Sequence, residues 1–70
     1  MSASNPTTES TAHELATIAD NIAQYRSRVA ALADRHVGDD RDDFVMAIHE
    51  AERQLRSAER GLIRAVRSAG

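Results

Sequence analysis

The sequence predicts an all-α fold, a single antiparallel two-helix hairpin, and three observations carry that prediction. Leu15, Ile18, Ile22, Tyr25, Val29 and Leu32 recur at intervals alternating between three and four, the period of one helix face. Phe44, Ile48, Ala51, Leu55, Ala58, Leu62, Ala65 and Ala69 repeat the pattern. Between the two sets stand His36, Val37, Gly38, Asp39 and Asp40, a helix stop and a helix start that nearly touch. So short a connection joins only antiparallel neighbours.

Residues 1–10 carry Ser, Thr, Asn and Pro without apolar periodicity, so a mobile tail is expected there. Thr11 with Glu14 three positions later has the form of a capping box, and Asn5 before Pro6 is a weaker second start. Helix 1 is therefore expected over about 11–37. Gly38 suits the left-handed conformation that ends a helix, with Arg35 and His36 placed to meet the negative end of its dipole. A turn over 38–40 follows, with Asp39 or Asp40 as the cap of helix 2 and Asp42 and Asp43 in its first turn, where the dipole favours anions. Helix 2 is expected over about 40–68, completing a hairpin domain over 11–70.

A turn centred near 38 and 39 predicts the layers of the core. Leu32 should meet Phe44, Val29 Ile48, Tyr25 Ala51, Ile22 Leu55, Ile18 Ala58, and Leu15 Leu62. Alanines then face Tyr25 and Ile18, a large-to-small match that lets helices close up.

One seam between two helices is a thin core for 70 residues, a size that usually needs disulfides, a metal or a partner chain, and there is no cysteine. Helix 1 carries Ala16, Ala19, Ala23, Ala30, Ala33 and Val37 beside its seam, a candidate self-association surface, while Val45 and Ile63 lie about a quarter-turn off the seam of helix 2. A homodimer forming a four-helix bundle is the expected completion, because twofold association lets one patch cover its own copy.

Composition narrows the function classes. The formal net charge is -2, and with no Trp, one Tyr and one Phe the chain lacks rings for stacking nucleotides. No apolar run reaches a membrane span and the first residues have no signal-peptide pattern, so a soluble cytoplasmic chain is expected, with no membrane partner. All nine basic residues are arginine, and alanine is abundant, as in bacterial genomes of high G+C content.

Motifs for chemistry are missing. His13, His36 and His49 have no metal-ligand spacing, and the Asp39–Asp43 stretch puts Arg41 where a calcium loop needs an oxygen ligand. Gly38, Gly61 and Gly70 stand alone, so no phosphate loop exists. No catalytic residue, cofactor or metal site is assigned, and the chain is expected not to be an enzyme.

Arg53, Arg56, Arg60, Arg64 and Arg67 form a row within an arc of about 80° on the side of helix 2 away from its seam. Glu52 and Glu59 are spaced to pair with Arg56. With Ile63 as an apolar anchor, this row is the candidate partner-binding surface. The function expected is a small non-catalytic interaction or adaptor module that self-associates through coiled-coil-like packing, with an acidic protein surface as a further partner. The alternative is a regulator that binds RNA or DNA through the arginine row.

Overall fold

The computed structural model describes residues 7–38 and 40–69. Two helices, α1 (Thr8–Asp34) and α2 (Asp42–Ser68), each of 27 residues, pack against one another as a hairpin. The expected tail over 1–10 lies partly outside the described residues, but its last residues belong to α1. Thr7 rather than Thr11 is the N-cap, its hydroxyl accepting the Ser10 N–H at 2.9 Å, while the Thr11 N–H donates to the Thr7 carbonyl at 3.0 Å.

Past Asp34 the chain keeps coiling in tighter turns. His36 N–H donates to the Ala33 carbonyl at 3.0 Å and Val37 N–H to that of Asp34 at 3.4 Å. Gly38, at φ 89°, then reverses the path in the left-handed region that a Cβ disfavours. The N-cap position of α2 falls on Arg41, with no side-chain capping bond, rather than on Asp40, and Asp39 lies outside the described residues. Asp42 and Asp43 occupy the first turn as expected.

α1 thus ends at Asp34 rather than near the expected residue 37, and the contacts between the helices lie beyond the expected pairing. Phe44 is met by the ring of His36, edge-on at 5.3 Å between centroids, a turn past its expected partner Leu32. At the other end, Leu15 shares a hollow with Ala65, Ser68 and Ala69, one turn beyond the expected Leu62.

The packed face is also rotated. Among the described residues only Ala19 and Ala33 are buried, at 5% and 1% exposure, so these two alanines pack within the hairpin and not against the second chain that the sequence pattern predicts for them. Leu15, Ile22 and Val29 of the expected core are half-buried, as are Ile48, Leu55 and Leu62. The alternate members are not: Ile18, Tyr25, Leu32 and Phe44 are 41 to 54% exposed, and Ala51 and Ala58 are exposed too. In their places the contact takes the residue one position on, which gives Ala19, Arg26 and Ala33 on α1 and Val45, Glu52, Glu59 and Val66 on α2. Rows of a heptad are about 50° apart, and alanines at two of these positions let the helix axes approach more closely than tyrosine or leucine would.

Candidate interaction surfaces

The rotated contact leaves two broad faces, each built from one row of each helix. Thr11, Ile18, Tyr25 and Leu32 stand seven apart, as do Phe44, Ala51, Ala58 and Ala65; Thr11 and Ala65 line one hollow, so these rows share a face. Ala16, Ala23 and Ala30 form the other row of α1, with Val37 beyond its end, and Ala16 lines a hollow with Ile63 and Arg67 of α2. That second hollow also contains Asp20 and Glu59.

Beyond Thr11, the two central rows of the first face are apolar on both helices. Its two rings carry guanidinium groups from its margin: Arg28 lies 5.7 Å from the centre of Tyr25 and Arg41 5.5 Å from that of Phe44. Such contacts leave the cation in water while shielding an aromatic face. The next row of α2 outward, Ala47, Gln54, Gly61 and Ser68, contains no charge.

The second face is charged. Arg26 Nε donates to Glu59 Oε1 at 3.0 Å across the two helices, with the side chains 27% and 20% exposed, so Glu59 serves α1 and not Arg56 as expected. Arg56 pairs with Glu52 at 3.5 Å, which was expected, and His49 Nδ1 lies 3.5 Å from the same carboxylate. Arg53 donates to Glu50, and these hydrogen bonds with the charge of Arg53 hold the Glu50 carboxyl below its ordinary pKa.

The arginine row therefore divides. Arg53 and Arg56 are neutralised by carboxylates of their own helix, whereas Arg60, Arg64 and Arg67 have no carboxylate partner among the described residues. These three surround Ile63, itself 37% exposed, in a shallow depression. Sequence reasoning located this cluster. It missed Arg26 and Glu59, because a charged residue within an apolar contact breaks the pattern by which contacts are sought.

Among the described residues no three His, Cys, Asp or Glu side chains are grouped to hold a metal, and no helix is long and apolar enough to cross a membrane. Of the six alanine-row residues, Ala19 and Ala33 are spent within the hairpin, Ala16, Ala23 and Ala30 are half-buried at its edge, and Val37 is exposed. No protein-family model, curated protein or solved structure matches the chain.

Proposed function

We propose that the chain is a small, non-catalytic interaction module of the cytoplasm that self-associates face to face, two hairpins making a four-helix bundle. The observation that carries this reading is the direction of the two apolar seams. Each is turned about 50° from the contact between α1 and α2, and both turn toward the same broad face, that of Tyr25 and Ala58. A helix with one neighbour points its apolar stripe at that neighbour; a helix at the corner of a square bundle points it between two neighbours, roughly 45° from each. Both helices have the second geometry.

Charge supports the same choice of face. Covering the second face would bury the Arg26–Glu59 pair and the carboxylate of Glu52, a desolvation that favourable pairing rarely repays. Covering the first buries no charged side chain of its two central rows. The hairpin then keeps Arg60, Ile63, Arg64 and Arg67 outward, available to an acidic protein surface in an adaptor role.

Sedimentation velocity of the purified chain at low micromolar concentration tests the self-association. A mass of two protomers is expected, and a cooperative, well-folded monomer would refute it. Affinity capture with and without nuclease treatment tests the outward face: a retained acidic protein supports the adaptor role, and nuclease-sensitive capture replaces it with nucleic-acid binding.

A further inference from the structure

We infer that the two copies associate about a twofold axis parallel to the helices, so that α1 of each lies over α2 of the other and both turns emerge at the same end. The inference rests on the self-association proposed above and selects between its two symmetric arrangements. A face-to-face pair can also form about an axis running across the helices, which would stack α1 on α1 and α2 on α2 with the turns at opposite ends.

Size decides between them. On the shared face, α1 beyond Thr11 presents the large apolar residues Ile18, Tyr25 and Leu32, whereas α2 presents Ala51, Ala58 and Ala65 beyond Phe44. Stacking like on like would push the α1 helices apart with three large residues from each side, while the alanines of α2 would demand a close approach. A rigid hairpin cannot satisfy both spacings without leaving voids, and interiors tolerate few. Stacking α1 on α2 gives every inter-copy contact one large and one small row, hence one spacing.

Register supports the same arrangement. An axis parallel to the helices leaves no freedom to slide, since each residue keeps its height, so the fit between copies is fixed by the register within one hairpin. The cross-helix contacts of His36 with Phe44 and of Arg26 with Glu59 place Tyr25 near the level of the stretch from Ala51 to Ala58. The large residues of one copy thereby face the small-residue row of the other. Helices that touch are antiparallel throughout, within each copy and between copies. The acidic turns come to one end, but Asp40, Asp42 and Asp43 are exposed and their repulsion is screened by salt.

The absence of cysteine makes the test direct, because one introduced thiol carries one label. Asp40→Cys places a spin label at the turn, where it touches nothing in the helix contact. Labels on two turns at the same end should lie within about 30 Å, the width of a bundle with 8–10 Å between axes plus the label linkers. Turns at opposite ends would be separated by at least about 40 Å, the length of 27 residues at 1.5 Å each. A dimer with only the long distance overturns this inference and leaves self-association standing; a monomer in sedimentation overturns both. A size swap gives an independent reading. Ala58→Tyr should weaken association at least about tenfold, and adding Tyr25→Ala should restore most of it, because between copies the two positions meet when α1 covers α2 and not when like helices stack. No recovery in a double variant that remains helical counts against the arrangement.

Discussion

The two broad faces of the hairpin share a framework and differ in what they leave uncovered. One shows Ile18, Tyr25, Leu32 and Phe44 beside a row of alanines; the other shows an inter-helix ion pair, a half-buried carboxylate at Glu52 and arginines around Ile63. The difference teaches that burial inside the hairpin and apolarity on its surface are parts of one stripe on each helix. The contact between α1 and α2 uses one edge of that stripe, and the other edge is the exposed face.

This contrast can be broken most severely on the apolar side. Tyr25→Glu should abolish self-association at concentrations where the unaltered chain is dimeric, and its thermal midpoint should lose its dependence on protein concentration. Retained dimers would mean that another surface is used. Inside the contact, Ala33→Leu inserts three carbons where exposure is 1%, and overpacking of this kind costs about 1–3 kcal/mol in chemical denaturation. Were Ala33 on an open face, the same change would be neutral.

Smaller effects belong to the turn and to the charged side. Gly38→Ala should cost about 1 kcal/mol, because its φ of 89° is disfavoured for a residue with a Cβ although no atom crowds the position. Arg60→Ala should change stability by less than about 0.5 kcal/mol, since its guanidinium has no carboxylate partner among the described residues, yet it should weaken capture of an acidic partner. The smallest effect is that of Glu50, whose pKa is lowered in the folded state by Arg53 and Gln54. Its contribution is present above the unfolded pKa and is lost as pH falls through the folded one, so Glu50→Gln should flatten the acid limb of stability slightly. An unchanged limb would show that this exposed contact carries no linkage.

The helices, their antiparallel order and the reversal at Gly38 were legible in the sequence because periodicity and turn chemistry are local properties. The face of contact was not, and the reason lies in particular residues. Leu15, Ile22 and Val29 belong equally to two seams, one completed by Ile18, Tyr25 and Leu32, the other by Ala19, Arg26 and Ala33. Hydrophobicity selects the first. Close approach through alanine, with Arg26 reaching Glu59, selects the second for the pair within the chain. The register differs because α1 gives way to tighter turns after Asp34, where the pattern predicts regular helix to residue 37. The cluster at Ile63 was found because arginines spaced three and four apart declare their common side.

The brevity of the segment between Asp34 and Asp42 has a consequence for kinetics. Loop closure across so few residues takes well under a microsecond, and helix formation in each arm is about as fast. The contact between α1 and α2 should therefore form in a rapid step independent of dilution, as expected for a chain whose first contacts are near in sequence. Any slower phase whose rate rises with protein concentration then times the meeting of two chains, and stopped-flow refolding over a dilution series would resolve the two.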